Sequence, residues 1–190
     1  MTVYVGARDL NAFPVGTHQF IVITYPRQTS IMIGDSGYLT QELGPDINGL
    51  VIGAHNNTNL IVKIFEQADT EAAKEYFGGK NTHWYIDDWD TEMRRVSFKG
   101  SDFSLHAQRE IIRLIDTYIT NQQLDKINYP SNGMGFNSNS WVQTVIELAG
   151  GQIDGGSNMK GFDISHNKRI PKTYFDPYCP DEPRIQLNIK

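Results

Sequence analysis

A polar loop that runs into a short apolar helix constrains this chain more than any other stretch. From Trp141 onward the apolar residues fall at Trp141, Val142, Val145, Ile146, Leu148 and Ala149, the spacing of a helix with one buried face. Gly150 and Gly151 follow, and glycine accepts the left-handed backbone that closes a helix. Upstream, Pro130-Ser131-Asn132-Gly133-Met134-Gly135 is loop chemistry. Asn137, Ser138, Asn139 and Ser140 therefore reach the first helical turn, where backbone N–H groups lack partners and carry partial positive charge. Asn137, Ser138 or Asn139 suits an N-cap there. A hydroxyl in that place can instead attack a carbonyl while the helix N–H groups receive the oxyanion.

Composition narrows the partners. The 190 residues, 39% hydrophobic, are read as a single domain over 1–190, with an irregular C-terminal segment from about 151. The net charge is -5 and the basic residues are scattered, which argues against nucleic acid and anionic membrane surfaces. No apolar run is long enough to span a bilayer. Met1 to Arg8 lacks the basic flank and apolar centre of a signal peptide, so synthesis in the cytoplasm is expected. The single cysteine, Cys179, excludes an internal disulfide framework and a zinc site built from several cysteines. It lies between Pro177 and Pro180 and reads as structural or incidental.

In chain order, Val3-Tyr4-Val5-Gly6 reads as a short strand and Thr17 to Thr24 as a central one, apolar on both faces. Ser30 to Gly34 is a further strand, ended by Asp35-Ser36-Gly37. Gly49 to His55 and Asn59 to Phe65 flank Asn56-Asn57-Thr58 as a hairpin. Thr70 to Phe77 predicts a helix of about two turns. His83 to Ile86 and Arg94 to Phe98 predict a second hairpin around an acidic turn. Ile111, Ile112, Ile115, Tyr118 and Ile119 form the apolar stripe of a long helix over Ser104 to Asn121. Short strands are possible at Gly161 to Ile164 and Ile185 to Asn188. The class is α+β: an antiparallel sheet with helices packed on one side.

No two of the five histidines, His18, His55, His83, His106 and His166, stand at helical ligand spacing from one another. No zinc-hydrolase motif, Walker-type phosphate loop or dinucleotide-binding glycine pattern is present, and neither a cofactor nor a metal is expected. Asp87, Asp88, Asp90 and Glu92 lack the spacing of a calcium loop and read as a solvated turn. What remains is His18 at a strand start and Ser138 at a helix start. A serine hydroxyl needs a base within hydrogen-bond reach to become a nucleophile, and imidazole suits that task.

Gly16-Thr17-His18-Gln19-Phe20-Ile21-Val22-Ile23, followed late in the chain by Asn137-Ser138-Asn139-Ser140-Trp141-Val142, resembles the circularly permuted branch of the papain-like NlpC/P60 superfamily. That branch includes the lecithin:retinol acyltransferase-like proteins. In it a His heads a strand written Gly-x-His-x-aromatic, and a nucleophile opens a helix written polar-Cys-x-x-aromatic-Val. The segment around Arg8 resembles a variety found in bacterial secreted toxins and effectors. The chain departs from the pattern by carrying serine where the family has cysteine. Ser138 is then a serine-based variant, a site that has lost its chemistry, or a replaced cysteine.

The resemblance implies a permuted papain-like hydrolase or acyltransferase acting on a cell-wall peptide amide or a lipid ester. Ser138 would attack, His18 would shuttle the proton, and His55 or Asp35 would orient His18. Asn137, Asn139 and Ser140 would support the oxyanion site. It further implies a bacterial effector, exported by a specialised secretion system and met by an immunity or carrier protein. The alternative is an inactive binding module of the same fold that engages a protein partner. A third reading is an unrelated interaction protein in which Ser138 only caps a helix.

Overall fold

The structure, a computed structural model, describes residues 1–10, 16–78, 91–98, 103–130, 134–160 and 163–177. Strands β1 (Thr2–Asp9), β2 (Thr17–Tyr25), β5 (Gln41–Gly44), β6 (Ile47–Asn57), β7 (Asn59–Ile64), β8 (Glu92–Phe98) and β9 (Gly151–Ile153) form one antiparallel sheet. Its order is β5-β6-β2-β1-β8-β9, with β7 also paired to β6. A separate hairpin joins β3 (Ser30–Ile33) to β4 (Ser36–Leu39). The helices are α1 (Gln67–Gly78), α2 (Phe103–Leu124) and α3 (Ser138–Leu148). The fold is α+β, as the sequence pattern predicts.

The centre of the sheet is β2, and its two faces build two cores. Ile21 and Ile23 face α2 and α3 and join Val5, Ile111, Ile115, Trp141, Val142 and Val145. Phe20 and Val22 face the other way and join Val51, Ala72, Ala73 and Leu43 beside α1. Helices therefore cover both faces rather than one. The physical reason lies in β2 itself: its run is apolar at odd and even positions alike, so both faces need cover. Trp141 and Tyr118 are fully buried and meet edge to face, their ring centroids 6.0 Å apart, a geometry that aromatic quadrupoles favour.

Three strands lie where no strand was expected. The hairpin turn at Gly34, with φ +58, carries the chain straight into β4 rather than ending there. Strand β5 pairs the start of β6, and β9 pairs β8 through Val96 and Ile153. The expected strands over 83–86 and 185–188, part of that over 161–164, the acidic residues Asp87, Asp88 and Asp90, and Cys179 lie outside the described residues. Among the described residues, no helix is long and apolar enough to cross a membrane.

Candidate functional site

Strand β6 pairs β2 only from Phe20 onward, where Phe20 stands opposite Gly53. Nearer the head of β2 the two strands separate, and β6 turns its other edge to β7 through Asn57 and Asn59. His18 and His55 lie at this parting, two residues beyond the last pair on each strand, with ring centroids 4.4 Å apart. On the far side of β2, Arg8 of β1 is in register with His18. Arg8, His18 and His55 thus form a row across three neighbouring strands.

Helix α1 lays a carboxylate over that row. Phe65 adopts a left-handed φ of +56 and donates its backbone N–H to the Val51 carbonyl, which swings the chain out of β7 and back across the sheet. A bulky residue in that region is strained and persists only where its surroundings hold it. Glu66 then caps α1, its carboxylate accepting from the N–H groups of Ala68 and Asp69. Asp69 falls in the first turn with its side chain wholly buried.

The four side chains converge. Arg8 Nε donates to Asp69 Oδ1 at 2.7 Å. His18 Nε2 lies 3.1 Å and His55 Nε2 3.0 Å from Asp69 Oδ2. The His18 contact has hydrogen-bond geometry, whereas His55 Nε2, though buried, is not aligned for one. Arg8 also lies 3.9 Å from Glu66. Gly53 makes the convergence possible: a Cβ there would overlap Asp69 Oδ2 and stand 2.7 Å from His55 Nε2 and 3.2 Å from His18 Nε2.

Electrostatics favour a neutral imidazole beside an ionised carboxylate. Burial lowers the His18 pKa, and Asp69 opposes that without reversing it. Burial alone would raise Asp69, but the field of His18 and the contacts from both imidazoles outweigh it and hold the carboxyl low. The cluster is not sealed, since the His55 side chain remains 11% exposed and that of His18 5%. One ligand atom from each of His18, His55 and Asp69 lies within 4.8 Å of the others, so these three could hold a metal ion.

Ser138 is elsewhere. Asn137 is the N-cap of α3 and forms a reciprocal capping box with Ser140. Ser138 Oγ donates to Asn139 Oδ1 at 3.3 Å. Asn139 replaces the missing β6 pairing at the head of β2: its Oδ1 accepts from Gln19 N at 2.8 Å and its Nδ2 donates to Thr17 O at 3.1 Å.

The parity of β2 separates the expected pair. Gln19 points toward α3 and accepts from Gln143, so His18 points toward α1 and Asp69. Among the described residues no hydrogen bond joins Ser138 to His18. The expected alternatives for orienting His18 also part company: His55 is beside it, whereas Asp35 is exposed in the β3–β4 turn. Asp69 and Arg8 were not singled out from the sequence. Their signal was the shared parity of Arg8, His18 and His55 on paired strands, with an acidic residue opening the next helix. Comparison with family models, curated proteins and solved structures finds no match for this chain.

Proposed function

We propose that the protein is a hydrolase that cleaves an ester or amide bond with water as the nucleophile, and that His18, His55 and Asp69 form its reaction centre. The observation that carries the reading is the convergence of two imidazoles on one buried carboxylate oxygen, from three separate elements. Buried titratable groups brought together at a partly open rim are what acid–base chemistry requires. A neutral imidazole has a lone pair to offer, and an ionised Asp69 stabilises the positive charge that develops when it is used. Arg8 fixes the carboxylate. Ser138 and Asn139 support the strand that carries His18. The substrate classes remain those of the resemblance, a peptide amide or a lipid ester.

The experiment is turnover of an activated ester and of a fluorogenic peptide amide by the purified chain. His18→Ala, His55→Ala and Asp69→Asn should each lose about 10²–10⁴-fold in kcat/KM, while Ser138→Ala stays within a few-fold of wild type. A folded His18→Ala variant with full activity, or a folded Ser138→Ala variant with none, defeats the proposal.

A further inference from the structure

We propose that His18 Nε2, His55 Nε2 and Asp69 Oδ2 together bind one divalent transition-metal ion of the zinc type. The inference deepens the preceding reading and rests on it for the cluster's role as the reaction centre; with the ion bound, the imidazole lone pairs would serve as ligands and the ion would activate the water in place of an imidazole base. Three protein ligands with an open fourth position describe catalytic zinc, and two imidazoles with a carboxylate suit zinc, cobalt or ferrous iron better than calcium or magnesium.

Distance, the alignment of His55 and second-sphere support favour a cation. Two donors each bonded to one metal at zinc-like lengths stand about 2.9–3.4 Å apart at right or tetrahedral angles. The nitrogens lie 3.1 and 3.0 Å from Asp69 Oδ2. A pure hydrogen-bonded triad would aim both N–H groups at that oxygen, yet His55 Nε2 is buried and out of line with it. A lone pair directed past the oxygen to a shared centre accounts for the alignment of His55, while His18 Nε2 keeps hydrogen-bond geometry toward Oδ2. Arg8 takes Oδ1 and leaves Oδ2 to the imidazoles, as a ligating carboxylate is usually held by its second oxygen. Charge agrees: Asp69 and Glu66 bring two negative charges, Arg8 one positive, so the surroundings carry one net negative charge toward a dication. Gly53 keeps clear the space that a side chain would fill.

The test is a titration of the full chain, stripped with chelator, with Co²⁺. Visible d–d bands should grow and saturate at one cobalt per chain, and Zn²⁺ should abolish them. His18→Gln and His55→Gln should each weaken cobalt by about 100-fold or more, and Arg8→Gln by about 10–100-fold as an outer partner. His106→Gln and Cys179→Ser should leave binding unchanged. Should the ligand variants fail to fold, wild-type thermal unfolding serves instead, since a cation bound only by the native state raises Tm with its concentration. No saturable bands and no rise in Tm, or binding that survives both histidine changes, overturns the site. Saturable binding by a chain that hydrolyses neither substrate keeps the cation and removes the hydrolase. Ester turnover that survives chelation, without cobalt bands, does the reverse.

Discussion

Two polar clusters flank the head of β2, one on each face of the sheet, and they differ in what they hold: strand and loop backbone on one, a shared carboxylate oxygen on the other. On the α3 face, Gln19 donates to Ser157 and Asp163 and accepts from Gln143. Asn139 serves Gln19, Thr17 and Ile164, and Asn137 and Ser140 cap one another. On the α1 face, two imidazoles crowd one oxygen of the Asp69 carboxylate, and a buried imidazole nitrogen is left out of line. Amides bonded to backbone hold it in place, although Thr17 Oγ1, Trp141 Nε1 and Asp163 Oδ1 on this face have no partner. Titratable groups forced together without full hydrogen bonding are the mark of chemistry. The α3 face reads as scaffold and the α1 face as site.

The largest effect expected is the split in activity between the faces. Loss of about 10²–10⁴-fold at His18, His55 or Asp69 against a few-fold at Ser138 keeps the division; equal losses erase it. Next comes Asn139→Ala, which strips partners from a buried donor, Gln19 N, and a buried acceptor, Thr17 O. At about 1–3 kcal/mol for each group left unpaired, stability should fall by about 2–6 kcal/mol in urea unfolding. A loss under about 1 kcal/mol means water replaces the side chain, and the α3 face is less rigid than argued. Smaller again is Gly53→Ala. Its methyl would collide with Asp69 and His55, costing about 1–3 kcal/mol as overpacking does and abolishing cobalt binding together with activity. A variant of unchanged stability and activity contradicts the close convergence on the α1 face.

Much of the fold can be read from residues alone because it is locally encoded. The apolar run of β2, the polar loop at Asn56 to Thr58 and the stripe of α2 each announce their element. Strands β5 and β9 do not: both are short, and β9 is defined by a distant partner, β8. The site divides the same way. His18 and His55 stand out individually, but the pairing of His18 with Ser138 depends on which face His18 takes. Alternation cannot tell, since Phe20 and Val22 are as apolar as Ile21 and Ile23. Only the register with Arg8 and the return of α1 across the sheet bring Asp69 to the histidines.

The smallest effect tests the scaffold face by pH. Asp163 is buried, and one of its oxygens accepts from Met159 N and the Gln19 amide while Oδ1 has no partner. Burial raises its pKa, and the Met159 and Gln19 hydrogen bonds only partly offset that. A carboxyl whose pKa is higher folded than unfolded favours the fold when protonated. Its contribution is complete below the ordinary value of 3.8 and is lost as pH rises through the raised native value. Asp163→Asn keeps the neutral form at every pH and can still accept from Met159 and Gln19. The variant should therefore unfold at higher urea than wild type at neutral pH, and the difference should close as pH falls toward 4. A constant difference across that range, or a variant weaker at neutral pH, means that the ionised carboxylate is needed by its two donors. The Met159 and Gln19 hydrogen bonds to the charge would then outweigh the cost of burying it.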